Sequence, residues 1–291
     1  MQLTELVYEG GEVLDLCLDF QREALRAEYR ERFQTLDLRG MPLQERRAAL
    51  QRVGRVGAKN VLVRGLSGVP EAAEAFPRAS LLFDAVGKTE PPAMRELAPM
   101  AFRTKRVFVY SREMSDSIRS AGIGLVSRHN GPYFPALDLE PAPDTAIGVL
   151  SLGRGALEVV AQLKRIRDQE GLEFDIITTE RIAGVVSASS ALDVAARASL
   201  LVAPYEQMDY GGVHEGAILA VCTGRVLCTP TASALKDMPL GGWYMHATKY
   251  TPRSYAEAAV GYRGRAVYST HIDAMRFDPR AVSSEIIRRI S

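Results

Sequence analysis

LVAPYEQMDYGGVHEGAILAVCTGRVL, residues 201–227, compresses a strand, a glycine-bearing turn, a helix and a second strand into one short span. An apolar strand over residues 199–204 runs into a polar loop. Gly211 and Gly212 let the backbone turn tightly, and a small-residue helix follows from about Val213 to Thr223. Such a turn aims unsatisfied backbone N–H groups outward, and the positive end of the helix dipole adds to them, so the start of the helix suits a phosphate or diphosphate. The same residues also suit an ordinary βα connection in an α/β sheet, because paired glycines are common in turns. The sequence on either side has to decide.

That sequence alternates short apolar runs with longer amphipathic ones, which is the pattern of β-α-β units around a mainly parallel sheet. Before the central stretch, strands are expected over 3–8, 33–38, 60–64, 81–84, 106–110 and 124–127. Helices are expected over about 12–20, 43–53 and 112–121, with a short one ending near Met100. Gly10 and Gly11 open the first helix. HNGPYFPALDLEPAPDTA, residues 129–146, is proline-rich and lacks helical periodicity, so it reads as a linker with a domain boundary near 138–144.

After the linker the alternation restarts. Strands are expected over 146–152 and 174–178 and helices over 155–170 and 189–197. Beyond the central unit come a strand at 227–229, a short helix or turn at 232–238, a strand near 243–245 and closing helices over 255–262 and 279–290. The expected fold is therefore α/β with two Rossmann-like domains of mainly parallel strands. Residues 1–140 form the first domain and 141–291 the second, and the last helix packs back on the first domain. Ligands of such folds bind at the carboxyl ends of the strands.

Composition sets limits on function. Thirty-six lysines and arginines nearly cancel 35 aspartates and glutamates, so no whole-molecule field recruits nucleic acid or an anionic membrane. Cys17, Cys222 and Cys228 have neither zinc-ligand nor disulfide-framework spacing, and the four histidines are scattered, so no metal is expected. The amino terminus lacks a signal-peptide pattern and no apolar run is long enough for a membrane span. A cytoplasmic location is expected.

Three stretches carry a likeness to a known family: KRVFVYSREMSDSIRSAGI followed by RHNGPYF, GVLSLGRGALEVVAQLKRI, and ALDVAARASLLVAPYEQMDYGGVHEGAILAVCTGRVLCT. Together they resemble the donor-binding half of GT-B glycosyltransferases, especially the retaining enzymes of glycosyltransferase family 4. The likeness covers roughly residues 105–236, and the first hundred residues only in topology. It implies sugar transfer from a nucleotide sugar, UDP- or GDP-linked, to an acceptor hydroxyl, with retention and without a metal or other cofactor. A hydroxylated base in DNA is the alternative acceptor, since the chain is short and lacks a basic, apolar docking helix. A non-catalytic two-domain binding protein is the alternative from another class.

The family carries two glutamates with seven residues between them, the second five positions before a glycine that precedes a strand. Anchored on Gly224, those positions are Gly211 and Leu219. The chain's own glutamates, Glu206 and Glu215, are nine positions apart, and Glu215 lies one helical turn before Leu219. A shifted motif centred on Glu215 is the reading, with Glu206 as its weaker member. The lysine that accompanies the arginine of the Leu-Gly-Arg segment in the family has no counterpart here.

Individual residues follow. Arg154 ends Leu-Gly-Arg after a strand, where a guanidinium suits a diphosphate leaving group, although a surface arginine at a helix start is the plainer alternative. Tyr210, Gly211, Gly212, Val213, His214, Glu215, Arg154 and Glu206 form the expected donor-binding set, joined by Gly10 and Gly11. Asp84 ends a strand in LLFDAVGK, where it either serves an acceptor hydroxyl as base or caps a turn. Lys88 shares that loop. Tyr205 and Tyr210 suit packing on sugar or base. The resemblance places Thr178, Thr179 and Glu180 beside the nucleobase. Arg103, Lys105 and Arg106, with Arg46, Arg47, Arg52 and Arg55, read as solvated faces and are the sequence's hints of a polyanionic partner.

Overall fold

The computed structural model describes residues 2–55, 57–86, 104–129, 131–137, 139–140, 142–143, 145–151, 155–204, 214–229, 244–246, 251–262 and 278–290. The chain divides into two compact units. One contains the described residues up to 132 together with 279–290, and the other those from 133 to 278.

The first unit is built on six parallel strands: β1 (Leu3–Val7), β2 (Phe33–Asp37), β3 (Asn60–Arg64), β4 (Ser80–Asp84), β5 (Thr104–Val109) and β6 (Val126–Arg128). Their order is β2-β1-β3-β4-β5-β6. Helices α1 (Glu12–Tyr29), α2 (Leu43–Arg55), α3 (Val69–Ala75) and α4 (Arg112–Ser120) connect them. Helix α1 buries Val13, Leu14, Cys17, Leu18, Leu25 and Tyr29, a helical-period stripe against one sheet face. The closing helix α9 (Ala281–Ile290) joins that face through Val282, Ile286 and Ile290. Helices α2, α3 and α4 cover the other face.

The second unit has strands β7 (Ile147–Val149), β8 (Ile176–Thr178), β9 (Val186–Ser187), β10 (Leu200–Val202), β11 (Val226–Thr229) and β12 (Tyr244–His246), all parallel, in the order β12-β11-β10-β7-β8-β9. Helices α5 (Ala156–Glu170) and α8 (Pro252–Tyr262) pack on one face, where Val149, Val202 and Cys228 meet Val159, Leu163 and Ala256. Helix α6 (Ala191–Arg197) lies against β7 and β8, and α7 (Glu215–Thr223) against β10, β11 and α6. Gly148 lets α6 approach: a Cβ added there would stand 2.6 Å from Val194 Cγ1. Arg225 follows the left-handed C-cap Gly224 and donates to the carbonyls of Ala195 (2.8 Å), which lies in the last turn of α6, and Glu140 (2.8 Å). Cys222 donates to the Phe134 carbonyl at 3.2 Å, and burial pushes its thiol and that of Cys228 up to about 12. Cys17, in the first unit, is buried too.

The two parallel α/β sheets are as expected from the alternating pattern. The differences are local. Helix α3 has no sequence-based expectation, because its Gly-Val-Pro start reads as a turn and its apolar positions are mostly alanine, although proline in the first turn is compatible with a helix. The two-residue strand β9 was likewise hidden in a polar segment. The expected short helices ending near Met100 and at 232–238 lie outside the described residues.

A charged chain crosses the interior of the first sheet. Arg64 is fully enclosed. Its Nε donates to Glu5 Oε1 at 2.9 Å and its Nη1 to Gln21 Oε1 at 2.8 Å and to Asp84 Oδ2. Arg22 Nε (2.7 Å) and Thr35 Oγ1 (3.0 Å) donate to Glu5 Oε2, and the Tyr110 hydroxyl donates to Asp84 Oδ1 at 2.5 Å. Two carboxylates thus face two guanidiniums. Burial works against the Glu5 carboxylate, but Arg64 and Arg22 outweigh it and hold the group below its ordinary range. Arg64→Met would leave Glu5 and Asp84 short of a counter-charge, and we expect a loss of about 3–5 kcal/mol in urea unfolding. The cost should shrink when Asp84→Asn is added, so equal losses in the single and double variants would contradict a charged chain.

Helix α9 has its own polar anchor. Glu285 accepts from Ser127 Oγ at 2.7 Å, lies 3.1 Å from His129 Nε2, and has Arg106 at 3.7 Å. Burial raises its carboxyl, but the Ser127 hydrogen bond, His129 and Arg106 together hold it below the ordinary 4.5. A depressed folded value means that this stabilisation is complete above the ordinary value and lost as pH falls through the lowered one. Amide protection in α9 should therefore drop on acidification below about pH 4.5, and Glu285→Gln should flatten that dependence. Protection that follows the same pH curve in wild type and Glu285→Gln would refute it.

Candidate functional site

In a parallel sheet whose strand order reverses, the two connections at the reversal leave the sheet on opposite faces, and a crevice opens at the carboxyl ends of the two central strands. Each unit has one such point. It lies between β1 and β3 in the first and between β7 and β10 in the second.

At the second-unit point, α7 starts close against the end of β10. A Cβ added at Gly216 would lie 2.7 Å from Ala203 Cβ, so only glycine lets the helix start come this near. His214 is the N-cap. Its Nδ1 accepts from the Ala217 N–H at 3.0 Å, and its carbonyl takes the Ile218 N–H. Its Nε2 lies 3.3 Å from Thr229 Oγ1, which itself donates to the Ala203 carbonyl at 2.8 Å. That direction fixes the tautomer: Nε2 carries the proton and donates to Thr229. With 3% of its surface exposed, the ring is pushed down to about 3 by burial and is neutral near pH 7. The expectation that His214 donates to a phosphate is thus corrected, because both ring nitrogens serve the cap and the neighbouring strand. Glu215, half-buried, is the first helical residue, where its charge suits the dipole.

Thr178, which the resemblance places beside the nucleobase, is enclosed. Thr178 ends β8 fully buried, with its hydroxyl accepting from the Glu180 N–H at 3.5 Å and its carbonyl from the Ala188 N–H. Thr179 and Glu180 are half-buried and reach the surface at the carboxyl end of β8. Arg154, Glu206, Tyr210, Gly211, Gly212 and Val213 lie outside the described residues, as do Lys88, Tyr205 and Arg103.

At the first-unit point the chemistry is of opposite sign. Gly10 is exposed, and a Cβ there would stand 2.4 Å from Arg39 Nη1. Arg39 crosses the turn to Asp15 (2.6 and 2.8 Å) and also holds Asp37. Gly11 caps α1 in extended backbone with no side-chain bond, and Glu12 and Asp15 occupy the first helical turn. With its single arginine already shared by two aspartates, this turn is a poor cradle for a diphosphate. Gly10 leaves room for Arg39, which lies over the turn.

Glu9, which the sequence reading passed over, is the distinctive group here. Its Oε1 accepts from Ser67 Oγ at 2.6 Å and from the Ser67 N–H at 3.3 Å, bridging the connections after β1 and β3. Gly65 has φ of +97°, and a Cβ there would lie 2.7 Å from Glu9 Cγ, so glycine is required both for the backbone and for room. Burial raises the half-buried carboxyl above its ordinary value, and the Ser67 bonds only partly oppose this. The sequence signal was present: a carboxylate between a strand and Gly-Gly, at a strand's carboxyl end. Asp84, expected at that rim, is instead wholly enclosed with Arg64 and Tyr110 on its two oxygens. The assignment as an accessible base is corrected, because an acceptor has no path to it. Among the described residues no three His, Cys, Asp or Glu side chains gather as a metal site.

By sequence alone the chain matches no family profile and no curated relative. Solved structures do match it along its whole length. Anabaena Alr3699/HepE in complex with UDP and glucose superposes with a TM-score of 0.63 at 13% identity, covering 100% of this chain and 99% of that one. S. aureus MnaA with UDP gives 0.65 at 11%, covering 100% and 96%. An alpha-glucosyltransferase in complex with UDP and a 13-mer DNA gives 0.56 at 9%, covering 100% of each. At these identities the likeness is one of fold: the chain has the α/β architecture of two Rossmann-like, parallel-sheet units seen in GT-B glycosyltransferases and their structural neighbours.

Proposed function

We propose that the chain transfers a sugar from a nucleotide-sugar donor to an acceptor hydroxyl. The observation that carries this reading is the start of α7 closed onto β10 by Gly216 at the strand-order reversal of the second unit, in a chain whose fold neighbours were solved with UDP. Three consequences follow. The helix start attracts the diphosphate, and Arg154, five residues beyond β7, supplies the cation that takes up the charge of the leaving group. Glu215, at the edge of that turn, faces hydroxyls of sugar or ribose, since a carboxylate directly on a diphosphate would repel it. With these groups the leaving group needs no bound metal.

In this reading the donor is UDP- or GDP-linked and the reaction proceeds with retention, the departing phosphate oxygen collecting the proton of the acceptor hydroxyl. Glu9 accepts a hydrogen bond from the acceptor and orients it. The acceptor is a small hydroxylated molecule or glycan, and a hydroxylated DNA base is the alternative favoured by the DNA-bound neighbour. A second reading, epimerisation of the nucleotide sugar itself, draws on a further fold neighbour, a Listeria monocytogenes structure described as a UDP-N-acetylglucosamine 2-epimerase (TM-score 0.62, 10% identity). Incubating the protein with a panel of UDP- and GDP-sugars, with and without acceptors, separates them. Free nucleoside diphosphate with a new glycoside supports transfer, whereas an isomerised donor with no acceptor requirement rejects it.

Arg154→Ala should lower kcat by about 2–4 kcal/mol of transition-state stabilisation, while Glu215→Gln should chiefly raise the KM for donor. Steady-state kinetics with varied donor checks both, and an unchanged kcat in Arg154→Ala would remove that residue from the reaction. Glu9→Gln should raise the KM for acceptor and change kcat less than about tenfold. A loss of about 10²–10⁴ in kcat with an inverted product anomer would instead make Glu9 the general base and end the retaining reading.

A further inference from the structure

The first unit carries a second concavity at the opposite, amino-terminal edge of its sheet, away from Glu9. It is a groove of about 680 Å³ where β3, β4 and β5 begin and where α2 and α3 end. Lys59, Arg78 and Lys105 line it, with Ser80 and Gly54 between them and Phe76 at its base. Among the described residues no carboxylate is in the lining. Lys59, Arg78 and Lys105 are exposed, and none pairs with a carboxylate among the described residues. Arg22, Arg39, Arg46 and Arg64 of the same unit have acidic partners, whereas Arg26 and Arg119, exposed and away from the groove, have none among the described residues.

The carbonyl ends of α2 and α3 point to this edge, which accounts for some positive charge there. They account neither for a concavity free of carboxylates nor for a second feature, the register of β5. Leu81 pairs with Thr104 and Leu82 with Arg106, so Lys105 is an extra residue in the strand. A bulge of this kind re-aims a side chain, and here it falls on a lysine of the groove. Lys59 and Lys105 lie at the starts of strands two inter-strand spacings apart, about 10 Å, with Arg78 and Ser80 leading into the strand between. That span suits an anion with several charged oxygens, and the volume is that of a small-molecule pocket rather than of a flat polymer track.

We propose that this groove binds a small phosphate-bearing ligand with at least two anionic groups, held by Lys59, Arg78 and Lys105, at a site separate from the carboxyl-edge groups. Inorganic tripolyphosphate is the probe. Calorimetry on the full chain, with excess UDP present to occupy a donor site, should give one binding event. The Lys59→Gln, Arg78→Gln, Lys105→Gln triple variant should weaken it at least tenfold. A control losing the same charge elsewhere, Arg26→Gln, Arg119→Gln, Arg165→Gln, should bind as wild type does. All three positions in the first variant are exposed side chains, and a preserved thermal midpoint certifies its fold. Equal binding by wild type and groove variant overturns the proposal, as does an equal loss in the control. A short DNA duplex that binds more tightly than tripolyphosphate and is lost in the groove variant also overturns it, in favour of a polymer backbone.

Discussion

Arg64 places a full positive charge in the middle of a hydrophobic sheet, and the first unit is arranged to make that tolerable. A buried guanidinium is acceptable only when its donors meet charged acceptors, so Glu5 on one neighbouring strand and Asp84 on the other must stay in register with it. Each carboxylate then needs further donors, which Arg22 of α1 and Thr35 of β2 supply to Glu5 and Tyr110, just past β5, supplies to Asp84, while Gln21 of α1 accepts from Arg64. One charge thereby ties β1, β3, β4, β5 and α1 together. Hydrophobic packing alone would let strands of this composition slide, whereas a displaced carboxylate here would leave buried charge unmatched. The network lies just beneath the crevice holding Glu9, since Arg64 is followed by Gly65, on which that side chain rests.

The two strand-order reversals are chemically unlike. In the second unit, glycine brings a helix start against a strand end, and the local field favours an anion. In the first, carboxylates dominate, and the one arginine over the turn is already neutralised by Asp15 and Asp37. A parallel sheet always offers the same edge for binding, but the residues in the βα turns decide the sign of what binds. Two units of similar topology thereby present turns of unlike charge.

Much of the fold was legible because the alternation of apolar runs and amphipathic segments encodes buried parallel strands and surface helices directly. The strands of the first unit and helices α1, α2, α4, α5 and α7 follow from it. Strand β9 did not, because two residues hold no period, and helix α3 did not, because its Gly-Val-Pro start reads as a turn and its apolar positions are mostly alanine. Site residues failed for a different reason: sequence locates a side chain along an element but not its partners. Asp84 and Glu9 both terminate strands beside a βα turn. What separates them is Tyr110 and Arg64 closing over the first and Ser67 and Gly65 framing the second, residues up to 58 positions distant. His214 fits an anion site by position, and only the structure shows its Nδ1 accepting from the Ala217 N–H as a cap with its Nε2 facing the Thr229 hydroxyl.

The placement of the three thiols gives the molecule internal clocks. A cysteine reacts as its thiolate, and burial pushes Cys222 and Cys228 up to about 12, well above an ordinary thiol, so in the closed protein they stay protonated near neutral pH. Cys17 is sealed under α1 in the other unit. Alkylation of the native protein must therefore wait for opening, with Cys17 timing the first unit and the other two the second. Mass-resolved labelling of these residues turns buried sulfur into a record of which sheet breathes first, without any probe being introduced into the chain.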